Sequence, residues 1–456
     1  MLYFVVSLNE ESPQQRKLNL EKLNIVKIFP FNQAAWSKEL AILILLTIIA
    51  RLPWLVMVPM AEAPDEVTHA WVIHFLADQM RLPALADVRS AGSIAVYGPI
   101  PQFGYLAHVA FLKLSPQLPQ LISMRLGSLF MSIISIVVAH FISRRVFLPE
   151  RLLALGLPLL MVFHPQFVLV SSYANNDITA CALSSLVLLL LLETLERGTR
   201  FVISLTIGVL LAWLTLSKYS GCFLLPITLI ALTAASWLHR TGAKKFVFNL
   251  VSILAPCFLL TGAWFARNAQ EFEGDITGTR TLHMIWTSTY HRKFDSYRSP
   301  LVIVLESRWW RMNFFSFWGW FGYMTRSLPR PFYYGYLVFV IAAFCGGIRK
   351  LTTLREKWFI HSQRMQLVKP FIWLIFIFMS LANLFTSLAA SSSGIAGPQG
   401  RYLFISEIPL MALLLGGLAN LPSRWSKPTI WALLLFNLGT YFYSSAYLYS
   451  IYCQAH

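Results

Sequence analysis

Residues 36–57 read WSKELAILILLTIIARLPWLVM, and residues 64–71 read PDEVTHAW. The first stretch is apolar and long enough to cross a bilayer as a helix. The second places two carboxylates, Asp65 and Glu66, at the rim of that span. Only 12% of the chain is charged, and acids set side by side near lipid are expensive to keep and readily shifted in pKa. Two readings follow. Pro64, Asp65 and Glu66 are good first-turn residues for a helix, favoured by its dipole. Alternatively, one carboxylate is a general base facing the place where a lipid-borne substrate docks.

The rest of the chain belongs to a membrane. Hydrophobic residues make up 57% of it and the mean hydropathy is +0.60. Apolar runs recur near 36–57, 120–142, 152–171, 178–195, 201–217, 221–238, 247–266, 331–348, 370–390, 402–420 and 429–449. Each has the length of a spanning helix. The sequence thus predicts an all-α integral membrane protein with about eleven transmembrane helices. The opening run Met1–Leu8 is too short, and lacks the basic start, for a secretory leader.

The net charge of +17 would suggest nucleic acid in a soluble protein. Here the positive-inside rule accounts for most of it. With a cytoplasmic N-terminus, the inner loops carry Arg144, Arg145 and Arg151, then Arg197 and Arg200, then Arg240, Lys244 and Lys245. The Arg349–Lys369 stretch, Arg424 and Lys427 continue the pattern, which leaves the C-terminus outside and no role for nucleic acid. Arg51, Arg267, Arg401 and Lys218 fall instead at outer ends or in outer turns. Singly, each is explained by snorkelling toward headgroups. Together, cations on one membrane face suit an anionic phosphate ligand. The five cysteines lie in or beside apolar segments without metal-ligand spacing, so neither a disulfide framework nor a zinc site is indicated.

Residues 1–38 read as a polar cytoplasmic tail with a short amphipathic helix around Leu18–Phe31, and 39–456 as one polytopic domain. Two outer loops are long, about 58–119 and 267–330, and loops of that length are usually functional. The first is predicted to hold a helix over Glu66–Met80, with His69, Ile73 and Leu76 on one face, ended by Pro83. A turn at Tyr97-Gly98-Pro99 then leads to a helical stretch over Phe103–Leu114. The aromatic run 313–323 in the second loop is too broken by glycine to span, and suits a segment lying at the interface, with packing in the core as the alternative.

These features together resemble the GT-C glycosyltransferases, membrane enzymes that use polyprenyl-phosphate-linked sugars. The similarity is nearest to an uncharacterised bacterial multi-pass family of GT-C-like architecture. It rests on PDEVTHAW (64–71), YGPIPQFGY (97–105), HPQFVLVSSYANND (164–177), LSKYSG (216–221), SFWGWFGYMTRSLP (316–329) and GPQGRYLF (397–404). These motifs occur in order over most of the chain.

The resemblance implies a GT-C-like fold whose two outer loops contain short interfacial helices. It also implies a catalytic base in the first outer loop, which maps onto Asp65 with Glu66 as the alternative. The leaving group would be a lipid phosphate, so cations are needed to hold it. Arg401, after the Gly-Pro-Gln-Gly turn, fits that role, with Arg267 and Lys218 as further candidates. Asp177 is a helix N-cap on one reading and an acceptor-binding acid on the other. His69, Tyr97 and Tyr402 complete the substrate-binding set. His164-Pro165 reads as a kink with a satisfied polar partner, and Glu193 and Glu196 as solvated groups at an inner boundary. No cofactor is expected; a divalent cation would need several oxygens to converge and is not expected to be obligatory.

The expected activity is therefore transfer of a sugar from a polyprenyl-phosphate-type lipid donor to a glycan, lipid or protein acceptor of the cell envelope. The expected place is the outer face of a bacterial cytoplasmic membrane, among membrane lipids. The rival is a transporter or flippase of a lipid-linked glycan. Transporters carry polar groups at mid-membrane and repeated halves, whereas here charge gathers at one rim.

Overall fold

The computed structural model describes residues 38–290, 297–357, 364–394 and 397–454. The tail expected over 1–38, with its amphipathic helix, lies outside these except for Lys38. The described chain is an all-α multi-pass membrane protein. Eight of its helices are long and apolar enough to cross a bilayer: Lys38–Met57, Gln120–Phe147, Asp177–Arg197, Tyr219–Leu238, Ala243–Glu271, Arg330–Leu351, Arg364–Ser392 and Gly400–Ala419.

Three further expected spans take other forms. The segment 152–171 breaks into Arg151–Val162 and Pro165–Val170. Phe201–Thr215 has only 15 residues. The helix Ser423–Tyr452 is long, but Ser, Thr, Asn and Tyr dilute its apolar character. The bundle is organised around Asp177–Arg197, whose apolar window is 94% buried. That helix packs on Gln120–Phe147, Phe201–Thr215 and Leu224–Leu238, and ends where Gly198 takes φ +81°. Where Arg330–Lys357 crosses Glu407–Ala419, a Cβ on Gly346 would stand 2.0 Å from the Gly417 carbonyl oxygen. The two backbones therefore touch directly, as small residues allow in membranes.

The break at His164-Pro165 explains Arg51. Proline has no N–H to offer the carbonyl four residues back, which is that of Met161. In hydrocarbon an unpaired carbonyl is costly. Arg51 is fully buried and supplies the missing donors, to Val162 O at 3.1 Å and Met161 O at 3.4 Å, with Ser171 Oγ at 2.8 Å from its Nε. Arg51 is thus a helix cap and not a phosphate ligand. His164 has its satisfied partner: Nδ1 lies 2.6 Å from Glu407 Oε1, and Nε2 lies 2.7 Å from Phe317 O.

One expectation fails. Glu193 is not solvated: it is buried under Arg145, Arg197 and Arg200, at 2.8, 3.0 and 2.5 Å. The aromatic run 313–323 takes the core-packed alternative for part of its length. It forms the helix Ser307–Gly319 and a two-residue ladder, Trp320–Phe321 against Arg326–Ser327. Phe317, Trp318 and Phe321 are core residues, and Trp318 stacks on Tyr336 with centroids 3.8 Å apart. The facing helix offers aromatic partners, which outweigh the preference of Trp for the interface.

The long loop after the first span contains a helix at Glu66–Gln79 where one was expected, and a further short helix that was not. It holds helices Glu66–Gln79, Leu85–Ala91 and Leu106–Leu114, the last preceded by a 3-10 turn at Phe103–Tyr105. The second holds Thr279–Tyr290, Pro300–Leu305 and Ser307–Gly319.

Candidate active site

The adjacent acids just after the first span part company. Glu66 begins a helix and points into the bundle, where it is fully buried. Its Oε1 accepts from Arg125 Nε and from the Ala174 amide, both at 2.8 Å, and its Oε2 pairs with the same guanidinium. Arg125 spends its remaining donors on Leu55 O at 2.7 Å and Val58 O at 2.8 Å. With both oxygens engaged in a closed core, Glu66 has no face for a substrate. It is a tether between the end of the first span and the Gln120–Phe147 helix, and its candidacy as base is withdrawn.

Asp65 behaves oppositely. Its φ of +63° is the left-handed conformation, and its side chain makes no cap bond to the helix that follows. A non-glycine residue in this region is uncommon and strained, and such strain gathers at functional sites. The carboxylate turns instead to Arg401, with Oδ2 2.8 Å from Nη2, and to the Tyr97 hydroxyl. The Asp65 amide donates to Tyr323 Oη at 3.1 Å. This geometry disfavours the simple helix-start reading of Asp65.

Around that contact four charges meet from four parts of the chain. Arg401 belongs to the 3-10 turn Gly400–Ser406, Asp177 opens the central helix, and Lys218 precedes the turn Tyr219–Phe223. Asp177 Oδ1 pairs with Lys218 Nζ, and Asp177 Oδ2 lies 3.8 Å from Arg401 Nε. Asp177 is therefore not spent as an N-cap; Asn175 Oδ1 serves the Ile178 amide at 3.1 Å. Arg401 Nη1 donates to Tyr173 Oη at 2.9 Å. Both cations lie over the Tyr402 ring, at 4.6 Å for Lys218 Nζ and 5.5 Å for Arg401 Cζ. Side-chain exposure is 24% for Asp65 and 18% for Lys218, against 8% for Arg401 and 7% for Asp177. Asp65 and Lys218 are thus the partly exposed members of the cluster, and Arg401 and Asp177 the buried ones.

His69 completes the wall. Its Nδ1 is 2.6 Å from Tyr105 Oη, and its ring stacks on Tyr97 with centroids 4.8 Å apart. Burial pulls its pKa down to about 4, against the opposing influence of Asp65 and Asp177, so it is neutral near pH 7. Burial acts to raise the Asp65 carboxyl, but Arg401, His69 and Tyr97 together hold it below the usual carboxylate value. Burial also lowers the Lys218 ammonium, which the Asp177 carboxylate partly resists.

Of the residues picked from sequence, the structure brings together Asp65, His69, Tyr97, Asp177, Lys218, Arg401 and Tyr402. It separates two. Glu66 is in the core, and Arg267 binds Pro83 O and Asn268 Oδ1 beside Phe272, away from the cluster. Tyr105, Tyr173 and Tyr323 were missed, although each lies within a motif quoted above; a hydroxyl has no sequence signature until its partner is known. Among the described residues, no group of three His, Cys, Asp or Glu could share a metal ion. The Asp65 and Asp177 oxygens face cations, a poor fit to a hard metal.

Residues 103–264 match the family model "Dolichyl-phosphate-mannose-protein mannosyltransferase". The match spans less than half the chain, and it bears out the resemblance to GT-C glycosyltransferases in that segment. No curated protein matches. Similar solved structures include ArnT from Cupriavidus metallidurans bound to undecaprenyl phosphate, 16% identical, covering 88% of this chain and 63% of that one, with a TM-score of 0.47. The same protein in the apo state is 14% identical, with coverages of 88% and 62% and a TM-score of 0.48. The Archaeoglobus fulgidus oligosaccharyltransferase complex with Zn and sulfate is 14% identical, with coverages of 90% and 53% and a TM-score of 0.48. The chain thus spans less than two thirds of the length of these proteins.

Proposed function

We propose that this protein is an inverting glycosyltransferase that moves a sugar from a polyprenyl-phosphate-type lipid to an acceptor hydroxyl, with Asp65 as general base. The carrying observation is the Asp65–Arg401–Asp177–Lys218 cluster, partly exposed at Asp65 and Lys218 and flanked by Tyr97, Tyr173 and Tyr402. The mannosyltransferase match over 103–264 supports the donor class.

The charges of the cluster balance, with two carboxylates against two cations. A phosphodiester donor therefore shares Arg401 and Lys218 with Asp65 and Asp177. As the acceptor oxygen attacks the anomeric carbon, the bond from that carbon to the phosphate oxygen breaks and the hydroxyl proton passes to Asp65. Asp65 becomes neutral, and the cluster gains one positive charge as the leaving phosphate gains one negative charge. Stabilisation then rises along the reaction, which is the condition for lowering the barrier. Asp177 keeps Lys218 oriented and offers an oxygen to acceptor hydroxyls; His69 and the tyrosines shape the pocket.

In this reading the site faces outward from a bacterial cytoplasmic membrane, with the N-terminus inside and the C-terminus outside. The acceptor is a cell-envelope glycan, lipid or protein. Reporter fusions after Lys245 should read cytoplasmic and fusions near Arg280 external. The decisive test is reconstitution of the purified protein with radiolabelled polyprenyl-phosphosugars and envelope extracts. Label moving to an acceptor in wild type but not in Asp65→Asn supports transfer. Lipid-linked sugar crossing the bilayer without being consumed would favour a flippase.

A further inference from the structure

Three segments of chain meet at Arg401, and one side chain ties them together. The first, 164–177, begins at His164 and brings Tyr173 and Asp177 to the guanidinium. The second is the helix Ser307–Gly319, against which the Arg401 turn rests through the bond from the Gly400 N–H to Ser316 Oγ. The third is the turn Gly400–Ser406 itself, which runs directly into Glu407. His164 opens the first segment, and its ring reaches the other two. Its Nε2 lies 2.7 Å from Phe317 O and its Nδ1 lies 2.6 Å from Glu407 Oε1. All three residues are buried.

The hydrogen bonds fix what the ring does. A carbonyl only accepts, so Nε2 carries a hydrogen and donates it to Phe317 O, while Nδ1 and Oε1 share one proton between them. His164 and Glu407 are therefore neutral as a unit and add nothing to the charge balance of the Asp65 cluster. Among the described residues, Glu407 Oε2 has no hydrogen-bond partner, so His164 is the group that holds this side chain. Hydrogen bonds in a closed interior are costly to leave unmade. A shift of the turn that moved Arg401 against the aromatic helix would break one of the two.

We propose that His164 and Glu407 are positioning residues that hold Arg401 at the depth where it meets the phosphate of the lipid donor. The inference rests on the transferase reading above. The other account is that the pair only completes the break at Pro165 and packs with Phe317, Trp318 and Phe404. It would then govern stability and leave the work of Arg401 unchanged.

A double-mutant cycle on binding separates the two accounts. Undecaprenyl phosphate is titrated into the purified protein in phosphatidylcholine nanodiscs, and the bound fraction of folded protein is read by native mass spectrometry. His164→Phe keeps an aromatic ring among the same neighbours and loses both hydrogen bonds. It should weaken binding roughly tenfold, within the range of residues coupled in one network. In the Arg401→Ala background the same change should cost less than about twofold, because no guanidinium is left to misplace. Glu407→Gln can still donate to Nδ1 from its amide nitrogen, and should bind within about twofold of wild type. Should His164→Phe fail to fold, His164→Asn carries the same prediction. Asparagine suits a helix start, but its two polar atoms share one carbon and cannot span both partners. Unchanged affinity in the His164 variant overturns the proposal. So does an equal loss with and without Arg401, or a Glu407→Gln as weak as His164→Phe. If Arg401→Ala itself binds as wild type does, the phosphate site is wrong and the proposal falls with it, an outcome distinct from the other three.

Discussion

Asp65 and Arg401 lie 336 positions apart in sequence, yet Oδ2 and Nη2 meet at 2.8 Å. The contact joins the loop after the first span to the turn before Glu407–Ala419. Gly400 makes this approach feasible: a Cβ there would stand 2.1 Å from the Phe317 amide nitrogen. Its own N–H donates to Ser316 Oγ at 2.7 Å. The aromatic helix Ser307–Gly319 therefore sets the depth at which Arg401 stands, and through it the direction of Asp65.

Asp65→Asn should abolish transfer while leaving the fold intact. Asparagine accepts the left-handed backbone that Asp65 adopts, so the change removes the base without straining the turn. Loss of general-base assistance is typically about 10²–10⁴-fold in rate. The check is turnover with reconstituted protein beside a thermal midpoint lowered far less than in Glu66→Gln, since Arg401 keeps Tyr173 and the nearby Asp177. Near-normal turnover would remove Asp65 from the chemistry.

Glu66→Gln should behave as a stability variant. It leaves Arg125 charged, fully buried and short of a carboxylate, and breaking a buried pair from one side costs on the order of 3–5 kcal/mol. Membrane yield and thermal midpoint in detergent should fall sharply, while the protein that does fold should keep most of its turnover per molecule. A well-folded but inactive Glu66→Gln would return this residue to the site.

Much of this site was legible because charge beside lipid needs a reason. Asp65, Asp177, Lys218 and Arg401 stood out as rim charges, and they converge. The choice between Asp65 and Glu66 was not legible, because neighbours share one sequence context and only the backbone angle at Asp65 separates them. Arg125 was hidden inside an expected span, where nothing announced that Glu66 would need it. Arg51 and Arg267 show the converse error: a cation at the rim can be serving backbone carbonyls, those of Val162 and Pro83. The aromatic run was legible only as interface or core, because Trp and Tyr suit both, and Tyr333 and Tyr336 opposite it decide.

His69 should make stability fall with acid in a defined window. Folded, its pKa is about 4, against an ordinary value of 6.5. Between those values the unfolded chain binds a proton that the folded chain refuses, so stability declines as pH drops from 6.5 toward 4 and does not depend on His69 above 6.5. The full effect is about 3 kcal/mol at most. Asp65 does not confuse this window, because its depressed pKa acts only below the ordinary carboxylate value of 3.8. Thermal midpoints of wild type and His69→Gln should diverge at high pH and converge toward pH 4. Parallel curves would mean that His69 is not held neutral.

Arg401 should discriminate between donor and acceptor. Its Nη1 and Nη2 are fixed by Tyr173 and Asp65, and among the described residues its buried Nε has no hydrogen-bond partner, with Asp177 Oδ2 3.8 Å away. The guanidinium thus presents an oriented, planar set of donors suited to phosphate oxygens. Arg401→Ala should weaken binding of the lipid phosphosugar far more than binding of the acceptor. Arg401→Lys keeps the charge and loses the fork, so it should recover only part of the activity. If Arg401 only snorkelled at headgroups, Lys would substitute almost fully. Donor titrations on wild type and both variants decide the matter. An unchanged donor affinity in Arg401→Ala would take the residue out of the phosphate site and leave its contact with Asp65 as purely structural.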